Sequence, residues 1–121
     1  MREMKLSPHF DSDEFKCKCG CGLSDIDAKL IVRLEKLRKL CGDKPLRVNS
    51  GHRCKEHNTS VGGSPNSQHL LGKAADIRCP AGMTIDQFAD KAKRCDFGGL
   101  GIYKTFLHLD VRNGRALWDN R

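Results

Sequence analysis

The clearest pattern along the chain is an apolar stripe of helical period in its first third. Between Ser24 and Leu40, apolar residues recur at spacings of three and four; they are Ile26, Leu30, Ile31, Leu34, Leu37 and Leu40. Acidic residues come first in this segment and basic residues come last, an order that suits the helix dipole. The pattern predicts an amphipathic helix from Ser24 or Asp25 through Leu40, which Gly42 ends.

Shorter patterns predict the other elements. We expect strands over 46–49, 74–79, 102–103 and 107–111, a helical turn or two over 55–61, a glycine-rich loop over 62–67 and a second amphipathic helix over 84–94. Together these elements predict an α+β fold, in which helices flank one side of a small, mostly antiparallel sheet. Residues 1–23 are expected to form an irregular, cysteine-rich arm that Phe10 and Phe15 anchor to the core.

The length of the chain limits its organisation. With 121 residues, we expect one domain over 1–121, because a second core would not fit. No apolar run approaches the roughly 20 residues that cross a bilayer, so no membrane partner is expected. The first residues lack the apolar segment of a secretion signal, and we therefore expect synthesis in the cytoplasm.

The net charge of the chain and its distribution indicate which classes of partner are favoured. A net charge of +7 favours anionic partners such as nucleic acids, acidic lipids or bacterial cell-wall polymers. Basic residues are spread along the whole chain, and the aromatic residues are not interleaved with them. This distribution is not typical of a nucleic-acid interface, and no nucleic-acid partner is expected.

Seven cysteines are many for this length. Cys17, Cys19 and Cys21 alternate in one run, where a strand would put them on one face, although the intervening glycine favours a turn. Two alternatives stay open for this run: a second, thiolate-rich metal site, or a disulfide to another cysteine. The partners considered are Cys41, Cys54 and Cys79. Small buried hydrophobic residues are the preferred interpretation of Cys41, Cys79 and Cys95.

His69, Asp76 and His108 are the strongest candidates for chemistry. Two imidazoles and a carboxylate give zinc three ligands and leave a fourth position open, as catalytic zinc sites do. A lone histidine on an apolar strand is usually a hydrogen-bonded core residue, but all three residues lie in apolar runs where polar groups need partners. If 107–111 is a strand, His108 and Asp110 share one of its faces with Phe106.

These runs also support a family resemblance. The motifs are Ser50-Gly51-His52-Arg53, the run from Ser67-Gln68-His69 to Asp76-Ile77, Gly98 to Tyr103, and Phe106 to Asp110. Together they resemble the zinc D-Ala-D-Ala carboxypeptidases and murein endopeptidases, whose fold is shared with lysostaphin-type enzymes and the hedgehog amino-terminal domain. The resemblance runs from about Ser7 to Trp118, and it is strongest to the short, single-domain branch of phages and bacteria.

The resemblance implies roles for particular residues. It implies zinc bound by His69, Asp76 and His108. Arg53 matches the family arginine, whose planar fork suits a peptide carboxylate or a developing oxyanion. Ser67 and Gln68 are expected to line the site and bind substrate.

The general base is where the sequence departs from the family. Several branches carry a carboxylate three residues before the last zinc ligand or a histidine two before it, whereas this chain has Thr105 and Phe106 there. Asp110 is therefore assigned as the catalytic base or as the group that orients a ligand. A simple ion pair with Arg112 or Arg78 is the alternative for Asp110.

The predicted function is hydrolysis, with zinc, of an amide bond in the stem peptides or cross-links of bacterial peptidoglycan. The protein would act as a monomer on the cell wall after release, as a phage endolysin does. A D-Ala-D-Ala carboxypeptidase is the alternative within the enzyme class, and a non-catalytic, zinc-containing binding module is the alternative outside it. His9, His52 and His57 are expected to be solvated, and Trp118 is expected to be a packing anchor.

Overall fold

The computed structural model describes residues 5–21, 26–65 and 67–121. Its strands are β1 Lys5–Ser7, β2 Phe10–Asp11, β3 Val48–Ser50, β4 Ala74–Arg78, β5 Gly99–Ile102, β6 Phe106–Asp110 and β7 Ala116–Asp119. Its helices are α1 Ala28–Leu40, α2 Lys55–Ser60 and α3 Ile85–Ala92. Two short 3-10 turns lie at Ser12–Glu14 and Gln68–Leu71.

Five strands form the main sheet in the order β3-β4-β6-β5-β7. Neighbouring strands are antiparallel except for β5 and β7, which run parallel. This arrangement confirms the predicted α+β class with a mostly antiparallel sheet.

One face of the sheet is apolar and packs against α1 and α3. Its residues belong to a single core cluster with the buried residues of the two helices. The sheet contributes Val48, Ala75, Ile77, Leu100, Ile102, Leu107 and Leu109, and the helices contribute Leu30, Ile31, Leu34, Leu37, Phe88, Ala89 and Ala92. Because side chains alternate along a strand, the opposite face is left for Asp76, His108 and Asp110.

The structure shifts several predicted boundaries. Helix α1 begins at Ala28, where the Asp27 carboxylate accepts a hydrogen bond from the Lys29 backbone. The proposed start at Ser24 or Asp25 lies outside the described residues. Strand β5 covers 99–102 rather than 102–103, because its glycines carry no strand signal. Strand β7 was not expected at all, since it depends on pairing with the edge of β5.

The described part of the N-terminal arm, residues 5–21, is more regular than expected. It contains the β1–β2 pairing and a 3-10 turn, and Phe10 and Phe15 are buried as predicted. Glu35 of α1 accepts hydrogen bonds from Ser7 Oγ at 2.5 Å and from the His9 backbone at 2.9 Å. These contacts hold the arm against the first helix.

Among the described residues, no helix has the length and apolar content that crossing a membrane requires.

Candidate metal centre

The three predicted ligands converge on one face of the sheet. Asp76 and His108 face each other on the paired strands β4 and β6, and His69 lies on the 3-10 turn just before β4. Asp76 Oδ1 lies 3.2 Å from His69 Nε2 and 3.2 Å from His108 Nδ1. One oxygen of Asp76 therefore stands between the two imidazoles.

Backbone groups fix the ring of His69. Its Nδ1 lies 2.7 Å from the carbonyl oxygen of Gly51, and its backbone N–H donates to Ser67 Oγ at 3.2 Å. Only 2% of His69 is exposed. Ser67 is thus the cap of the 3-10 turn that presents His69, which is a positioning contact rather than one with a ligand.

A carboxylate fixes the ring of His108. Asp110 Oδ2 lies 2.7 Å from His108 Nε2, on the side of the ring away from Asp76. The Arg112 guanidinium donates to both Asp110 oxygens, and the Arg112 backbone N–H donates to Oδ1. Asp110 is fully buried. Both of its expected contacts, with the His108 ring and with Arg112, are therefore present at once.

The hydrogen-bond acceptors beside the two imidazoles leave one nitrogen of each ring available to a cation among the three ligands. Gly51 O and the Asp110 carboxylate only accept hydrogen bonds, so His69 Nδ1 and His108 Nε2 carry the ring protons. The remaining ring nitrogens then face an oxygen of Asp76, and each of these close nitrogen–oxygen pairs needs either a ring proton or a bound cation between its two atoms. The ligand atoms lie within 4.8 Å of one another. Zinc with bonds of about 2.0–2.2 Å in tetrahedral geometry would separate its ligands by about 3.4 Å, close to the observed 3.2 Å spacings.

The same contacts set the charges of the site. Burial opposes ionisation of Asp76, yet hydrogen bonds from His108 and His69 hold the pKa of its carboxyl well below the usual range. Burial also opposes protonation of His108, but its hydrogen bonds to Asp110 and Asp76 raise its pKa above the ordinary value. The pKa of Asp110 is lowered, against burial, by hydrogen bonds from His108 and Arg112. Both carboxylates are therefore anionic at neutral pH, where a cation would bind.

Arg53 lies beside this centre. Its side chain is 15% exposed, and its Nη2 lies 3.5 Å from Asp76 Oδ2. Its Nε donates to Ser50 Oγ and its Nη1 donates to Asn58 Oδ1, each at 3.2 Å. These contacts engage three of the five N–H donors of a guanidinium and fix its plane against the centre.

The sequence analysis did not predict that the glycines of β5 leave space for Asp110 and Trp118 next to His108. A Cβ atom on Gly99 would lie 2.2 Å from Asp110 Oδ2, and one on Gly101 would lie 2.4 Å from Trp118 Cε2. The two glycines thus leave space for the buried carboxylate and for an indole that reaches within 5.2 Å of the His108 ring. Trp118 is a packing anchor, as expected, but it packs on a candidate ligand. The alternating glycines of Gly99-Leu100-Gly101 were the available signal.

The other predicted residues have mixed outcomes. The expectation that His52 is solvated is wrong: the residue is 7% exposed, and its Nε2 lies 3.2 Å from Leu70 O. His52 is buried because its backbone N–H donates to the carbonyl oxygen of Phe15, which packs residues 51–52 against the N-terminal arm. His9 is exposed and pairs with Glu35, whereas His57 is half-buried. Gln68 is half-buried next to His69, and its substrate contact stays a prediction.

The chain is similar to known peptidases. Residues 8–110 match the family model described as Peptidase M15. A zinc D-Ala-D-Ala carboxypeptidase of Streptomyces albus G is 47% identical over 45 residues, which cover 37% of this chain and 18% of that protein. A probable peptidoglycan L,D-endopeptidase, MepK, of Haemophilus influenzae is 32% identical over 89 residues, which cover 72% of this chain and 45% of that protein. The aligned region of this chain thus spans less than half the length of either relative.

Proposed function

This chain belongs to the peptidase M15 family, and we propose that it is a zinc metallopeptidase that hydrolyses an amide bond in the stem peptides or cross-links of bacterial peptidoglycan. The observation that carries the proposal is the convergence of His69, Asp76 and His108, with the outer nitrogen of each imidazole held by a hydrogen-bond acceptor. The names of the two relatives support zinc as the metal and peptidoglycan as the substrate class.

His69 Nε2, His108 Nδ1 and an oxygen of Asp76 would hold the zinc ion. When bound in such a site, zinc polarises a carbonyl group and lowers the pKa of a coordinated water to about 7. The chain's own contribution begins with orientation: Gly51 O and Asp110 set which nitrogen of each imidazole is free to bind metal. Acceptors on the outer nitrogens also make the imidazoles more basic and their ring positions fixed.

For Asp110 we propose the orienting role rather than that of general base. A base must reach the proton that it removes, within about 3 Å or through one water. Asp110 has no exposed surface, and its oxygens are engaged by His108 and Arg112. These contacts support a carboxylate that fixes a metal ligand.

We assign Arg53 to substrate binding and to positioning of Asp76. Its contact with Asp76 Oδ2 leaves Oδ1, the oxygen between the two imidazoles, for the metal. The two N–H donors that remain after its contacts with Ser50, Asn58 and Asp76 suit a substrate carbonyl or carboxylate. We keep Gln68 and Ser67 as substrate-binding candidates, because the two residues directly precede His69 in the chain.

The biological setting that we propose is action on the cell wall after release from the cytoplasm, as a phage endolysin acts. A net charge of +7 supports this setting, because bacterial walls contain anionic polymers. We propose that the protein works as a monomer on peptidoglycan peptides, without a nucleic-acid or membrane partner.

A D-Ala-D-Ala carboxypeptidase is the second candidate. The guanidinium of Arg53 beside the centre favours it, because a free substrate carboxylate would pair with that group. A non-catalytic binding module with the same zinc ligands would bind wall peptides and hydrolyse none of them.

Mass spectrometry of purified peptidoglycan and defined muropeptides, incubated with the protein plus zinc or plus chelator, tests these candidates. We expect chelator-sensitive products whose masses identify a cleaved cross-link or stem amide. Loss of a terminal alanine alone would select the carboxypeptidase. Bound substrate without any product, in protein that contains zinc, would select the binding module.

A further inference from the structure

Four cysteine side chains meet at a second point on the molecule, outside the candidate metal centre. Sγ of Cys17 lies 3.4 Å from Sγ of Cys19 and 3.7 Å from Sγ of Cys54, and the last two are 3.6 Å apart. Cys21 completes the group, in which the four sulfur atoms lie within 4.8 Å of one another. The other three cysteines, Cys41, Cys79 and Cys95, are buried or half-buried elsewhere, as expected.

A turn brings the first three sulfurs together. In an extended strand, Cys17 and Cys21 would lie about 13 Å apart, since each residue advances about 3.3 Å. Here residues 18–21 form a turn, in which Gly20 has a φ of 88° and its N–H donates to Cys17 O. A positive φ of this kind is readily adopted only by glycine. The run therefore folds back on itself and presents three sulfurs in one direction.

Packing between the arm and a distant loop supplies the fourth sulfur. A Cβ atom on Gly51 would lie 2.6 Å from Phe15 O, so the two backbones touch. The His52 N–H donates to Phe15 O at 2.8 Å. This contact places Cys54, two residues later, against the turn that begins at Cys17.

Backbone N–H groups also point at two of the sulfurs. The Cys54 N–H donates to Cys17 Sγ, and the His57 N–H donates to Cys54 Sγ, each at 3.4 Å. Such donors stabilise negative charge on sulfur, which a metal-bound thiolate carries. The neighbouring side chains Lys18 and Lys55 are exposed, and their positive charges offset the charge of a thiolate cluster.

We propose that Cys17, Cys19, Cys21 and Cys54 form a structural zinc site of four thiolates, separate from the catalytic centre. Zinc–sulfur bonds of about 2.3 Å in tetrahedral geometry separate the sulfurs by about 3.8 Å. The three distances among Cys17, Cys19 and Cys54 are 3.4–3.7 Å, and Cys21 Sγ lies within 4.8 Å of the other three sulfurs. Binding forms four zinc–sulfur bonds and releases the thiol protons to solvent. With all four positions filled by protein, this zinc would have no open position for a substrate.

The site would tie the N-terminal arm to the loop that supports catalysis. Cys54 directly follows Arg53, and Gly51 three residues earlier accepts the hydrogen bond that orients His69. A zinc ion that crosslinks the turn to Cys54 therefore holds both contacts in place. The proposal does not depend on the peptidase activity, because four thiolates bind zinc whether or not any amide is cleaved.

Metal analysis of the full chain, purified under reducing conditions and loaded with zinc, tests the proposal. We expect two zinc ions per chain in the wild type and in the control variant Cys79→Ser, whose thiol lies outside the cluster. Cys21→Ser and Cys54→Ser should each bind about one. His108→Ala should also bind about one zinc ion, at the cysteine site. When cobalt(II) replaces zinc in this variant, the sulfur-to-metal charge-transfer absorption of a tetrathiolate site should be present.

Results with the wild type alone can overturn the proposal, whatever the variants do. A cobalt-loaded wild type without thiolate charge-transfer absorption, while all seven cysteines react with an alkylating reagent after unfolding, would exclude the site. A disulfide between Cys54 and Cys17 or Cys19 in the peptide map of the reduced preparation would also exclude it. Failure of peptidoglycan cleavage with two zinc ions bound would contradict the proposed function and leave this site intact.

Discussion

Asp110 holds the His108 ring from behind: its Oδ2 lies 2.7 Å from Nε2, while Nδ1 on the other side faces Asp76. Strand alternation places both residues on one face of β6, and Gly99 on the neighbouring strand β5 leaves room for the carboxylate. The pair therefore presents Nδ1 of His108, the nitrogen that we propose as the metal ligand, in a fixed direction.

The orienting role predicts the effect of Asp110→Asn. We expect zinc affinity at the catalytic centre to fall about 10- to 100-fold, because an uncharged amide holds the imidazole less firmly. Turnover should largely recover at saturating zinc. Competition with a calibrated chelator measures the affinity, and Asp119→Asn, which changes an exposed carboxylate, is the control. Unchanged affinity with turnover that stays low at saturating zinc would instead support Asp110 as the base.

Arg53→Lys should weaken catalysis without unfolding the protein. A lysine ammonium lacks the planar fork that bonds Ser50, Asn58 and Asp76 together. Because hydrogen bonds to charged groups contribute about 1.5–3 kcal/mol, kcat/KM should fall roughly 10- to 100-fold. Steady-state kinetics on a defined muropeptide measure the change, with the exposed Arg47→Lys as the matched control. Equal kcat/KM in the two variants would place Arg53 outside the site.

Gly101→Ala should displace the indole of Trp118 from His108. The added methyl group would lie 2.4 Å from Trp118 Cε2, so we expect a loss of about 1–3 kcal/mol in the free energy of unfolding. Trp118 is the only tryptophan in the sequence, so its fluorescence reports the movement in Gly101→Ala, and urea denaturation followed by circular dichroism measures the unfolding of every variant. Adding Trp118→Ala to Gly101→Ala removes the clash. The double variant should therefore lose less free energy of unfolding than the sum of the losses in the two single variants. Additive losses would show that the methyl group and the indole do not meet.

The contact between Glu35 and the arm predicts a pH dependence. Burial opposes ionisation of Glu35, but hydrogen bonds from Ser7 and His9 lower its pKa below the ordinary value. Because the folded pKa is lowered, the stability that the carboxylate contributes is present above its unfolded pKa of about 4.3 and is lost as pH falls through the folded value.

Glu35→Gln should therefore reduce the free energy of unfolding by about 1–2 kcal/mol at pH 5.5 and by less at pH 3. Urea denaturation followed by tryptophan fluorescence measures both values. Glu56→Gln, which changes an exposed glutamate on α2, serves as the control. A destabilisation that is the same at both pH values would show that the ionised carboxylate is not what holds the arm.

Dense local patterns made part of the fold predictable from the sequence. Helix α1 follows a sustained apolar stripe, and the alternation of β6 correctly put His108 and Asp110 on one face. Strand β7 could not be predicted, because its exposed residues gain strand geometry only by pairing with β5. Its short sequence carries little periodic signal of its own.

The sequence was sufficient to predict the three candidate metal ligands, but not the contacts that position them. The ligand chemistry of His69, Asp76 and His108, together with the family resemblance, was enough to indicate a common site. The hydrogen bond to Gly51 and the position of Trp118 depend on backbone approaches between segments distant in sequence. Cys54 is a similar case, because its place beside Cys17 follows from the contact between Phe15 and Gly51.

Recovery of hydrolysis when zinc is returned to metal-free protein tests directly whether the His69–Asp76–His108 centre is a zinc site that cleaves peptides. Muropeptide cleavage is measured by mass spectrometry as zinc is added to the wild type and to His69→Ala, Asp76→Ala and His108→Ala. We predict that wild-type cleavage appears as the His69–Asp76–His108 centre fills, and that the three variants lack both this zinc and nearly all of the activity. Full activity in any of these variants, or wild-type cleavage that persists in metal-free protein, would contradict the account.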